Sequence, residues 1–70
     1  MQTFKYWLIT TQRDRDDWIG DLARDVVNDL HFPDRPITYQ AAAAHLRDRG
    51  ACREATIALA HAFRLYRTTR

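Results

Sequence analysis

One cysteine, Cys52, and three histidines are the obvious candidates for nucleophilic or metal chemistry. Near a helix start a thiol is acidified, and His45 or His61 would be the base that Cys52 needs. Acyl-transfer chemistry also demands oxyanion donors and a substrate pocket, and the pattern supplies neither, so a satisfied, semi-buried Cys52 is the expectation. As zinc ligands, His45, Cys52 and His61 are separated by seven and nine residues, which matches no compact site and includes no paired CxxC. Asp14, Asp16 and Asp25 fall at positions one, three and twelve of a calcium loop, but Trp18 and Ile19 then occupy positions five and six, where the turn needs glycine at six. His31, beside Phe32 and Pro33, reads as a helix end. No catalytic, cofactor-binding or metal-ligating residue is assigned.

Charge offers more than nucleophiles do. Asp21, Asp25 and Asp29 are spaced i, i+4, i+8, so on a helix they share one face, as an acidic docking strip requires. A solvated face with ion pairs to Arg24 or another arginine is the plainer reading of the same spacing. Arg47, Arg49 and Arg53 flank Gly50, and Arg64, Arg67 and Arg70 extend along the terminal segment. These arginines face solvent, an acidic protein partner or phosphate. Residues 1–35 carry a net charge of −2 and residues 36–70 carry +4, which gives the overall +2. That total is too small to argue for nucleic acid by itself, because affinity follows how many phosphates one concentrated basic face neutralises. Ten arginines against the single Lys5 are explained by coding bias as readily as by chemistry.

Four helices are expected to position these groups. Phe4, Trp7, Leu8 and Thr11 recur at helical spacing in a first segment from Phe4 to about Gln12, capped by Thr3. Asp16 or Asp17 caps a second, from Trp18 to about Leu30, whose core face is Ile19, Leu22, Ala23, Val26, Val27 and Leu30. Gly20 costs a helix roughly 1 kcal/mol against alanine, so it belongs in a first turn or under a close approach by Trp7 or Trp18. Pro33 stops that helix and holds Phe32 extended, ready to fold inward as a plug. A third helix, Tyr39 to Arg49, has Thr38 as cap, Ile37 as staple, core residues Ala42, Ala43 and Leu46, and Gly50 as a left-handed stop. The fourth, Cys52 to about Tyr66, aligns Ala55, Leu59, Ala62, Phe63 and Tyr66, and the large rings of Trp7, Trp18, Phe32 and Phe63 are expected to serve folding first. Small residues at Ala41 to Ala44 and at Ala58, Ala60 and Ala62 permit close approaches, so the expected fold is all-α, a compact orthogonal bundle of four short helices.

Size limits what such a bundle does. Seventy residues form one domain, 1–70. A chain this short buries only about 60% of its unfolded surface, and Cys52 has no disulfide partner. A cleft walled on several sides would take residues the core needs, so no enzyme is expected. No stretch approaches the ~18 apolar residues that cross a bilayer, and no leader pattern opens the chain, so cytoplasm is the expected location.

Phe4-x-x-Trp7-Leu8, Gly20-Asp21-Leu22-Ala23-x-Asp25-x-x-x-Asp29-x-x-Phe32-Pro33, Tyr39, Leu46 and Phe63-x-x-Tyr66 together resemble the YozE family of small bacterial proteins. The resemblance covers almost the whole chain, and its specific part is the Gly20–Pro33 block. It implies a sterile-alpha-motif-like (SAM-like) helical domain. It carries no biochemical activity with it.

The expected function is a noncatalytic macromolecular-interaction module binding a protein partner or itself. Its contact candidates are Arg47, Arg49, Arg53, Arg64 and Arg67, the acidic face Asp21, Asp25 and Asp29, and the Phe32-Pro33 region. No cofactor, membrane or small-molecule substrate is expected. The alternative is a nucleic-acid-binding protein using the basic second half, with Thr38 to Phe63 as a helix-turn-helix presenting Arg53 and Thr56. Against it stands a connection read as Leu46 to Ala51, longer than the usual three- or four-residue turn.

Overall fold

Thr3 opens the first helix by accepting the Tyr6 amide on its hydroxyl at 3.1 Å, which satisfies one of the donors that a helix start leaves free. In the computed structural model, which describes residues 2–68, helix α1 spans Phe4–Thr11, α2 Trp18–Val27, α3 Tyr39–Asp48 and α4 Arg53–Thr68. The Asp17 carboxylate caps α2 by accepting the Gly20 amide at 3.1 Å, and the Thr38 hydroxyl caps α3 by accepting the Ala41 amide at 3.1 Å. Gly50, at φ +74°, ends α3. Its amide donates to the Arg47 carbonyl and the Ala51 amide to the Leu46 carbonyl, each at 3.0 Å, the paired bonds of a Schellman stop.

Helix α4 touches each of the other three. Its 16 residues make a rod of roughly 24 Å, comparable with the molecular extents of 29 × 26 × 20 Å. Ala58 and Ala62 on α4, with Ala42 and Ala43 on α3, are buried and let those two helices approach closely; Ala41 and Ala60 are exposed. Among the described residues α1 and α3 make no helix–helix contact. Phe32 lies between them, its ring centroid 6.3 Å from Phe4 and 5.2 Å from His45, so the expected plug is in place.

Phe4 is the centre of the core. It is 1% exposed, stacks on Phe63 at 3.9 Å, and meets Trp7 and the edge of Tyr66 within 6 Å. The Tyr66 hydroxyl donates to the Gln2 carbonyl at 2.5 Å, tying the end of α4 to the segment before α1.

Four expectations about burial are corrected. Helix α2 ends at Val27, and both Val27 and Leu30, expected on its core face, are exposed, at 37% and 88%. The Asn28 and Asp29 amides donate to the Asp25 and Val26 carbonyls, so the last turn tightens to three residues and rotates Leu30 out. Phe32 takes the inward place. Trp18, grouped by its size with the core aromatics, is 51% exposed. Cys52 is exposed too, because α4 begins one residue after it.

Gly20 is required by a backbone approach rather than by a tryptophan. A β-carbon there would lie 2.0 Å from the Arg15 carbonyl oxygen. The segment from Gln12 to Asp17 folds back over the start of α2, held by the Arg24 guanidinium, which donates to the Arg13 and Arg15 carbonyls at 2.7 and 3.3 Å.

The same corner carries a pH dependence. The Arg15 guanidinium hydrogen-bonded to Asp17, with the Gly20 amide, lowers that carboxyl from 3.8 to about 2. A carboxyl lowered on folding stabilises the fold fully above its unfolded value, and the contribution disappears as pH falls through the folded value. Asp17→Asn keeps a capping oxygen but does not titrate. Its unfolding midpoint should therefore fall less than that of the wild type between about pH 4 and about pH 2. Parallel acid limbs for the two proteins would show that the Arg15–Asp17 pair contributes nothing.

Candidate functional site

The acidic strip is shorter than its spacing implied. Asp21 and Asp25 project from α2, but Asp29 lies beyond the helix end and turns inward. Its carboxylate meets the His45 Nε2 at 2.7 Å, accepts the His31 amide at 3.0 Å, and lies 3.8 Å from Arg49. Its side chain is 16% exposed. Burial pushes the Asp29 carboxyl up, while the hydrogen bonds from His45 and His31 and the charge of Arg49 pull it down; the sum lies below the ordinary value. Asp29 is thus a clasp between the α2–α3 connection and α3. Lys5 of α1 reinforces that connection by donating to the carbonyls of Asp29 and Phe32 at 3.5 and 3.2 Å.

The arginines at the Gly50 turn divide accordingly. Arg49 leans toward Asp29, whereas Arg47 and Arg53 are exposed and carry no ion pair among the described residues. Arg64 and Arg67 on α4 are likewise exposed and unpaired among the described residues. They border a groove of about 440 Å³ that also meets Tyr39 and Gln40 at the start of α3. Arg70 lies outside the described residues.

Trp18 stands between two other grooves. On one side, a groove of about 480 Å³ runs between α2 and the start of α4, with Leu22 and Ala55 in its apolar lining and Asp21, Asp25 and Glu54 beside them. On the other side, about 350 Å³ is lined by Ile19, Leu65, His61 and Arg64 with the paired Arg15 and Asp17. Cys52 borders the first groove and His61 the second. Among the described residues no three His, Cys, Asp or Glu side chains are placed to hold a metal ion. Trp18 is the surface residue that composition missed, because its size suggested a core role. Its position as the first residue of α2, immediately after the Asp17 cap, was the available signal.

Residues 3–68 match the family described as the YozE SAM-like fold. The chain belongs to the YozE SAM-like family. No curated protein and no solved structure gives a significant match. For this YozE SAM-like domain, the four-helix architecture is consistent with the SAM-like fold of the family. A fold of this kind does not dictate a function, which has to be argued from the exposed side chains. Among the described residues no helix is long and apolar enough to cross a membrane.

Proposed function

We propose that the domain is a noncatalytic interaction module that engages a protein partner or a second copy of itself. The observation that carries this reading is unspent charge of both signs at one end of the molecule. Arg47 and Arg53 flank the Gly50 turn, while Asp25 and Glu54 border the adjoining groove, and none of the four has an ion pair among the described residues. Protein surfaces mix both signs, whereas a nucleic-acid backbone presents only negative charge.

One observation favours the second reading. Helices α3 and α4 are joined by residues 49–52, a four-residue connection containing Gly50 and shorter than the Leu46–Ala51 span expected from sequence. Its length suits a helix-turn-helix, so length no longer counts against DNA. Charge does, because Glu54 in the first turn of α4 and Asp25 beside it oppose phosphate where a recognition helix would insert.

Affinity capture from the native cell, with and without nuclease, tests both readings. A protein that survives nuclease and is lost with Arg47→Glu/Arg53→Glu is the expected result. Loss of all capture after nuclease would replace the protein reading with nucleic acid. For self-association, light scattering should show a concentration-dependent mass that falls on reversing Asp25 or Arg53 singly.

A further inference from the structure

Trp18 is the largest side chain type in the protein, yet half of it faces solvent while its neighbours Ile19, Leu22 and Ala23 are buried. It is not needed to close the core, which already holds Trp7 and the rings of Phe4, Phe32 and Phe63. The groove beside it has an apolar lining from Leu22 and Ala55. An exposed aromatic face next to an apolar recess is what the central residue of a binding site looks like, since tryptophan and arginine dominate the energetically important contacts between proteins.

The charges around the groove select the occupant. Asp21, Asp25 and Glu54 border it with Arg24 as the one cation. Arg24 is already engaged, donating to Asp21 at 2.5 Å and to two backbone carbonyls of the preceding segment. Helix dipoles account for acids in the first turns at Asp21 and Glu54, but Asp25 lies in the second half of α2, where the dipole disfavours it. Neither the Asp25 nor the Glu54 carboxylate has a hydrogen-bond or ion-pair partner among the described residues. Trp18 and Asp25 are seven residues apart on α2, about 10 Å along its axis, so a segment with more than one arginine would lay one guanidinium on the indole for cation–π attraction and pair another with the carboxylates farther along the groove.

We infer that the α2–α4 groove at Trp18 binds an arginine-bearing segment of a partner protein. This rests on the interaction-module reading and names the ligand class of that module. The groove excludes acidic segments, and it is separate from the Arg47–Arg53 turn, which attracts the opposite charge. A partner that used both would present a basic side chain to Trp18 and an acidic one to the Gly50 turn.

The test is an NMR titration of the full chain with a capped Arg-Ser-Arg-Ser-Arg peptide, beside matched peptides carrying citrulline or glutamate in place of arginine. The arginine peptide should shift the Trp18 indole N–H and the amides of Asp21, Asp25 and Glu54 saturably, leaving the buried Trp7 indole unmoved. Citrulline should weaken binding about tenfold, and Asp25→Asn with Glu54→Gln should weaken the arginine peptide about five- to tenfold. Both substituted residues are exposed, and the dipole stabilisation lost at Glu54 is offset by the repulsion relieved at Asp25, so the unfolding midpoint should move by only a few degrees. Trp18→Ala should abolish the titration and Trp18→Phe should restore part of it. Equal binding of citrulline and arginine peptides, shifts centred on Arg47 and Arg53, or Trp18 shifts produced by the glutamate peptide or duplex DNA would each overturn the inference. A native partner captured through Arg47 and Arg53, with Trp18 silent to the arginine peptide, would sink the groove assignment and leave the module standing. Saturable arginine binding at Trp18 without any captured protein would do the reverse.

Discussion

Gly20→Ala is expected to destabilise the domain by about 3 kcal/mol, the scale of a backbone clash that neighbouring structure only partly relieves. Helix propensity alone predicts the opposite sign, a gain of about 1 kcal/mol. Geometry decides between them. The added carbon would lie 2.0 Å from the Arg15 carbonyl oxygen and 2.7 Å from its carbonyl carbon, and both are main-chain atoms that no rotamer change can move. Relief would require the Gln12–Asp17 segment to lift, which pulls on the Asp17 cap and on the two carbonyl bonds from Arg24. At ~4–8 °C per kcal/mol for a domain of this size, the unfolding midpoint should fall by roughly 12–24 °C. Gly50→Ala is the internal comparison. Its β-carbon meets nothing within 4 Å, so only the left-handed φ of +74° is penalised, at about 1 kcal/mol. Thermal unfolding that finds Gly20→Ala at or above wild-type stability would show that the Arg15 segment moves aside freely.

Phe4→Ala should cost still more, about 3–5 kcal/mol. The ring is 1% exposed and stacks on Phe63 at 3.9 Å, and it also meets Phe32, the plug between α1 and α3. Its loss therefore loosens three elements at once. A domain of this length has a total stability of only about 4–10 kcal/mol, so Phe4→Ala should remove roughly half of it and move the urea midpoint far below that of the wild type. Phe4→Leu, which keeps most of the volume, should unfold cooperatively with a smaller loss, about 1–2 kcal/mol. Near-ultraviolet circular dichroism and urea unfolding of the pair check this. A cooperative Phe4→Ala transition within about 1 kcal/mol of wild type would show that the core closes without the ring.

These two sites differ in how they could be read from the chain. Phe4 announces itself through its spacing with Trp7, Leu8 and Thr11, and the structure buries Phe4, Trp7 and Leu8. Gly20 shows only as an anomaly in a helix. What occupies the space above it is a carbonyl five residues earlier, and no periodicity reports a chain doubling back. Trp18 misled for a related reason. Hydrophobic size predicts burial on average, but α2 has a limited face toward α4 and α1, and Ile19, Leu22, Ala23 and Val26 fill it. The surplus ring is left outside.

The acidic strip failed at its third member through the helix end. An i, i+4, i+8 pattern holds only while the helix continues, and three-residue hydrogen bonding after Asp25 ends it before Asp29. Asp29 could then swing toward His45, sixteen residues later in the chain. The Gly50 turn shows the converse, where local residues were sufficient and the placement of Arg47 and Arg53 on either side followed directly.

The sequence by itself determined what depends on neighbours a few residues apart: four helices, their caps at Thr3, at Asp16 or Asp17 and at Thr38, the left-handed stop at Gly50, and the family resemblance those residues carry. Backbone hydrogen bonding and side-chain periodicity are local, so their signals survive without a fold. Only the tertiary structure decided which surface remains: Trp18 outside the core, Asp29 clasped to His45, Arg24 committed to carbonyls, and Asp25 and Glu54 left unpaired beside a groove. Each of those outcomes depends on which segments cover one another, and that is settled by packing the whole chain.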